Sequence, residues 1–409
     1  MKKLLFTLIL ISFYTIKSQN IYTIAGNGSP ATSGDGGPAI NAELFQPASI
    51  GIDLNNNIYF CEYTGPIRKI NPLGVISTFT PLYFPLMQVW NITFDASNNM
   101  YCCLEHQIIK ITPSGTTLTI AGTGTAGYSG DGGPAINAKI NGAQGLAIDA
   151  MGNIYFADKR NHRIRKIDLV GNISTIAGNG GGAYSGDGGQ AAMAQIKDPK
   201  GLIIDGLGNI YFIDGGNSRV RKINTTGIIT TIAGPGLDTP SGITIDASGN
   251  LFFSNSFKIK KIINPGLTNT IAGQTSQGFS GDGGPAINCS LNFPQDLEFD
   301  SQGNLYIADM FNNRIRLICF NSCAVGFNEL DNSNNNLFTL FPNPSGNNIQ
   351  LNTEANFNSI EIINSLGQLV LKQNFTNSIS IENLNRGIYF INLLDNQNKL
   401  LATKKFIKE

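Results

Sequence analysis

Residues 128–178 form a unit that is useful to a chain only when repeated: YSGDGGPAINAKINGAQGLAIDAMGNIYFADKRNHRIRKIDLVGNISTIAG. Four short apolar runs in it alternate sides at period two, over 145–149, 153–158, 163–168 and 172–177. Turn signals separate them: Ala-Met-Gly-Asn at 150–153, Lys-Arg-Asn-His at 159–162 and Leu-Val-Gly-Asn at 169–172. This pattern predicts a four-stranded antiparallel meander with short hairpin connections. One such sheet cannot cover its own two faces, so it must pack against copies of itself.

The copies align on the Asp that ends the first strand: Asp53, Asp95, Asp149, Asp205, Asp246 and Asp300. An Asn and an aromatic follow each time, as in Asn153 and Tyr155. The steps are 42, 54, 56, 41 and 54 residues, and the long ones contain an inserted Ser-Gly-Asp-Gly-Gly loop, found at 32–37, 128–133, 184–189 and 279–284 with its leading residue. Six four-stranded repeats predict an all-β chain, a six-bladed β-propeller over 19–323. Thr-Ile-Ala-Gly closes copies two to five as their outermost strand, and copy six lacks it. The leading stretch 21–26 carries the same motif, so it is expected to complete the last blade as a non-covalent clasp.

The runs NIYFADKRNHRIRKI (153–167), NIYFIDGGNSRVRKI (209–223) and NLYIADMFNNRIRLI (304–318) resemble NHL repeats, a propeller-forming family. The resemblance covers roughly residues 20–320, with departures in copy one, where Glu62 replaces the second Asp, and in the shortened second hairpins of copies two and five. WD40 repeats do not fit, since Trp90 is the only Trp.

Residues 1–18, in which Lys2 and Lys3 precede an apolar run of about 13 residues, read as a secretory signal peptide. No other stretch has the length to cross a membrane. Net charge is zero and no basic stripe appears, which argues against nucleic acid as a partner. An Asn-rich linker at 324–337 leads to short strands at 349–352, 359–363, 368–373, 378–381, 387–394 and 400–407, expected to form a small antiparallel sandwich over 338–409. Its motifs LFPNPSG (340–346), IINSLGQL (362–369) and LNRGIYF (384–390) resemble the C-terminal sorting domain of the bacterial type IX secretion system. That resemblance implies the secretion machinery as a partner, and release outside the cell or attachment to its surface.

Secretion permits disulfides, and Cys319 and Cys323 bracket three residues at the end of copy six. A Cys61–Cys102 bridge between neighbouring blades is conceivable beside the plainer reading of small buried residues, and Cys289 has no evident mate.

The inserts and the second-to-third-strand loops are expected on one face, with tight turns on the other. Candidate contacts there are Asp131, Asp187, Asp158, Arg163, Asp214 and Arg219. The alternative is that Asp158 pairs with Arg163, and Asp214 with Arg219, to hold each loop. Glu105, His106 and His162 are a permissible zinc set, set against plain exposed loop histidines. Two histidines are too few for the three-histidine site of NHL-type amidating lyases. Calcium could use the Gly-Asp loops, although each offers a single carboxylate. The chain thus reads as a secreted or surface binding module for a protein or glycan. The alternative is an extracellular hydrolase or lyase with a metal-assisted site on the insert-bearing face.

Overall fold

A computed structural model describes residues 19–79, 88–320, 338–342, 345–353, 357–364, 369–396 and 400–408. The expected signal peptide (1–18) and linker (324–337) lie outside the described residues, as does Cys323.

The meander recurs among the described residues as six four-stranded antiparallel sheets. Sheets one to five span 47–78, 91–121, 143–177, 199–233 and 240–272, and sheet six spans 294–319 with 20–25 added. In sheet three the strands are Ala143–Ile148, Ile154–Asp158, Arg163–Ile167 and Ile173–Ala177, all close to the sequence reading. The first turn of each sheet explains the recurring Asp and Asn and, in every sheet but the fifth, the Tyr. Asp149 accepts from the Met151 and Asn153 amides at 3.0 and 2.9 Å, from Asn153 Nδ2 at 2.8 Å and from Tyr155 Oη at 3.2 Å. One carboxylate therefore satisfies the whole turn and ties it to the second strand.

The first strands of the six sheets contact one another in cyclic order, the sixth meeting the first, so they are innermost. Close approach there needs glycine. Gly145 has φ +49°, and a Cβ on it would stand 2.3 Å from the Lys200 carbonyl of the next sheet. Apolar cores lie between successive sheets: Ala157 and Ile164 of sheet three pack with Leu202, Ile210 and Phe212 of sheet four. The strand Asn20–Ala25 pairs antiparallel with Arg314–Cys319, with Ile21 opposite Ile318 and Thr23 opposite Arg316. Sequence positions almost 300 apart are thereby joined in one sheet.

Beyond the ring, Thr339–Phe341, Asn348–Asn352 and Ser378–Ser380 form one small sheet. Leu369–Asn374, Ser359–Asn364, Gly387–Leu394 and Leu400–Lys408 form another, in that order. Side chains from both, including Ile349, Leu351, Ile362, Ile391 and Phe406, share one core. No helix among the described residues is long and apolar enough to cross a membrane.

Candidate functional site

The insert loops and second-hairpin loops do meet, but around an arginine that the sequence reading passed over. Asp158 lies opposite Arg163 in the strand register, yet its ion pair runs diagonally to Arg165 Nη1 at 3.1 Å. Arg165 Nη2 reaches Asp131 of the insert at 2.7 Å and the Ser129 carbonyl at 3.0 Å. Arg221 joins Asp214 and Asp187 in the same way, at 3.4 and 2.6 Å. Arg68 with Glu62 and Asp35, and Arg316 with Asp309 and Asp282, repeat the arrangement. The expected Asp158–Arg163 and Asp214–Arg219 pairs are thus replaced by Asp–Arg–Asp clamps, with Arg165, Asp158, Arg221 and Asp214 all 0% exposed. Burial pushes the Asp158 and Asp214 carboxyls up despite the adjacent arginine. Burial acts the same way on Asp131 and Asp187, but hydrogen bonds from threonine and tyrosine and the arginine itself bring both below the usual carboxylate range.

Arg163 is drawn elsewhere. Its guanidinium stacks 3.7 Å from the centre of the Tyr128 ring and donates to the Asn161 carbonyl at 2.8 Å. Arg219 stacks on Tyr184, and Arg314 on Phe279, each at 3.6 Å. Copy one has no arginine at this place, and its insert carries Thr32, which donates to Glu62 instead. The inserts are not free loops: Gly132 and Gly133 exchange hydrogen bonds with Ile173 on the outer strand of sheet three, and Gly188 and Gly189 with Ile229 of sheet four. The short helices Ala135–Asn137 and Ala191–Met193 then place Ala135 and Ala191 in the cores between sheets. Of the six candidate contacts, Asp158 and Asp214 are inaccessible to a partner, and the other four already hold the inserts down.

The proposed zinc set is not assembled. Glu105 accepts from Trp90 Nε1 at 2.9 Å and pairs with Arg160 at 2.6 Å. His162 Nδ1 accepts from the Asp198 amide at 3.2 Å. Among the described residues no three His, Cys, Asp or Glu side chains converge on a metal position. Cys61, Cys102, Cys103 and Cys289 are free and buried, so no Cys61–Cys102 bridge forms. Cys61 Sγ instead donates to the Val89 carbonyl at 2.9 Å. Cys319 is disulfide-bonded.

The groups left open gather nearer the ring axis, on the same loop face. Because first strands are innermost, residues on them lie close to the axis. Trp90 precedes the first strand of sheet two, and Lys200 lies in that of sheet four. Lys159 Nζ sits 5.8 Å over the Trp90 ring, and Tyr63 meets Trp90 edge to face at 6.3 Å. Burial holds both lysines below their usual range, Asp198 acting against it. Lys159 and Lys200 also repel one another, and Arg160 further depresses Lys159. Across the face, Phe257, Phe293 and Phe311 pack edge to face at 5.0 and 5.4 Å, with Phe311 half exposed. A signal was present in the sequence: Trp90 is unique, and Lys200 follows the Pro that opens its strand, where sheets three and five carry Gln144 and Ser241.

Deeper along the axis, the inner strands of sheets three, four and five carry Gly145, Gly201 and Gly242 where sheets six, one and two carry Asp296, Ser49 and Asn91. Asp296 accepts from Ser49 Oγ at 2.8 Å and the Ile50 amide at 3.1 Å, linking sheet six to sheet one. Asn91 accepts from the Leu146 amide at 3.0 Å. Burial raises Asp296 to about 6, and burial with Asp296 nearby raises Glu298 to about 8. The opposite face has a polar recess of about 340 Å³ between sheets one and two, lined by Asp53, Asn57, Tyr59 and Lys69 among others. Exposed turn tips lie on the same face, at Leu54, Met151, Leu169, Val170 and Leu207.

Residues 339–409 match the secretion system C-terminal sorting domain. Residues 122–185 and 180–236 each match the Teneurin NHL domain. Teneurin-1 of Homo sapiens is 28% identical over 341 residues, 69% of this chain, and the match spans only 12% of that protein's length. An auxiliary nutrient binding protein from Bacteroides ovatus superposes with a TM-score of 0.56 at 16% identity, covering 74% of this chain and 77% of the other. A structural genomics protein from Bacteroides thetaiotaomicron does so at 0.56 and 18%, covering 74% and 76%. At such identities the likeness is one of fold.

Proposed function

We propose, for a chain that is an NHL-repeat propeller protein with a type IX secretion C-terminal sorting domain, that it works as a six-bladed binding module outside the bacterial cell. Each four-stranded sheet of the ring is read as one blade, and the two small C-terminal sheets as a sandwich that engages the secretion machinery. The binding surface is assigned to the face of the second-to-third-strand loops. The observation that carries this reading is the open cluster at its axial end, where Lys159, Lys200, Trp90 and Tyr63 converge from four sheets. Loops held on a rigid scaffold are the usual place for recognition. Asp131, Asp187, Arg163 and Arg219 then act beneath that surface, fixing the insert loops at its periphery.

The metal-assisted hydrolase or lyase has less to rest on, because Glu105 and His162 already have other partners. Trp90, the only tryptophan in the sequence, makes the reading testable. Titrating the purified protein with a panel of extracellular polymers should shift its tryptophan fluorescence for at least one of them. Substituting Lys159 should weaken that response, and Leu207→Ser on the opposite face should not. Loss with Leu207→Ser and retention with Lys159→Gln would reverse the face assignment.

A further inference from the structure

Resting on that binding reading, we propose that Lys159 and Lys200 receive the carboxylates of an acidic polysaccharide, a uronate-type glycan lying across the axial end of the loop face. Both lysines are partly buried, on neighbouring sheets, and among the described residues neither forms a salt bridge. Two ammonium groups held close enough to repel one another are a poor arrangement for an empty surface and a good one for an anion. Nearby acids offset them only in part. Asp198 attracts both lysines, one carboxylate against two ammonium groups, and Glu105 is engaged by Arg160 and Trp90. The Lys200 stem passes close over Gly215, where a Cβ would come within 3.1 Å of it.

The aromatic groups favour a sugar over an acidic peptide. Tyr63 is 36% exposed beside Trp90, offering an apolar ring face next to the cations, which suits the C–H face of a pyranose. An extended peptide would gain most by adding a strand to an open sheet edge. On sheets three and four that edge is already taken by the insert loops.

Oligogalacturonate is the probe, with a neutral glucan and poly-L-glutamate as comparisons, read by Trp90 fluorescence and calorimetry on the secreted protein. The expected result is saturable binding of oligogalacturonate that weakens with added salt. The double variant Lys159→Gln, Lys200→Gln should bind it about tenfold or more weakly, as loss of charge-assisted hydrogen bonds implies. Melting curves will show that the variant is folded. Binding that survives the double substitution, or that the neutral glucan matches, overturns the proposal. Tighter binding of poly-L-glutamate reassigns the site to acidic peptides and also overturns it. If oligogalacturonate fails while another polymer still shifts Trp90, the ligand class is wrong and the binding module stands. If nothing shifts Trp90, both readings fall.

Discussion

Four buried arginines organise the loop face at the scale of single residues. Arg68, Arg165, Arg221 and Arg316 are fully buried, and each is held by two carboxylates through its terminal nitrogens while its Nε has no partner. Breaking such a pair leaves a charge uncompensated in a low-dielectric site. Arg221→Met should therefore destabilise the protein by about 3–5 kcal/mol, because Asp214 stays buried. Arg219→Met, which removes a ring-stacked arginine at the surface, should cost about 1 kcal/mol. Chemical denaturation of the two variants checks the ordering, and equal losses would refute the clamp. A second residue-scale expectation concerns Glu298, whose carboxyl burial raises from 4.5 to about 8. A carboxyl that keeps its proton in the fold contributes stability that is complete below its unfolded value and lost as pH rises through the folded one. The wild-type protein should thus lose stability between about pH 4.5 and 8 through this group. Glu298→Gln should match the wild-type melting temperature at pH 5 and exceed it at pH 9. A difference that does not grow with pH would exclude this role.

At the scale of elements, strand Asn20–Ala25 and the four inserts solve the same problem, the exposed outer edge of a sheet. The leading strand covers the edge of Arg314–Cys319, and the inserts hydrogen-bond along the outer strands of sheets one, three and four and the leading strand of sheet six. An uncovered edge is a template for pairing with another chain. Deleting 20–25 should lower the melting temperature and cause concentration-dependent association, seen by light scattering. An unchanged melt with no association would mean that sheet six closes without this strand. The two sheets without such inserts, two and five, also lack the buried clamp arginine, so edge cover and clamp come as one device.

At the scale of the whole molecule, the ring and the sorting domain have separate cores, made from separate residues. Removing 338–409 should therefore leave the propeller folded, with an unchanged melt, and retained inside the outer membrane. Cell fractionation checks this, and normal surface delivery of the truncated chain would remove the sorting role. The ring itself brings Trp90, Lys159 and Lys200 together from three sheets although up to 110 positions separate them in the chain.

Periodicity, turn chemistry and repeat arithmetic were local, and the sequence alone determined what depends on them. Asp149, Asn153 and Tyr155 lie within seven residues, so their turn can be read without a fold. The missing sixth Thr-Ile-Ala-Gly likewise foretold the pairing of Ile21 with Ile318. What tertiary structure decided was which charge met which. Arg163 and Arg165 lie on the same face of one strand, and sequence distance favoured the nearer as the partner of Asp158. The insert settles the choice by laying Tyr128 under Arg163 and Asp131 against Arg165, contacts made 34 or more positions away. The axial cluster is non-local for the same reason: four successive sheets each supply one side chain, and only their packing side by side gives them a common surface.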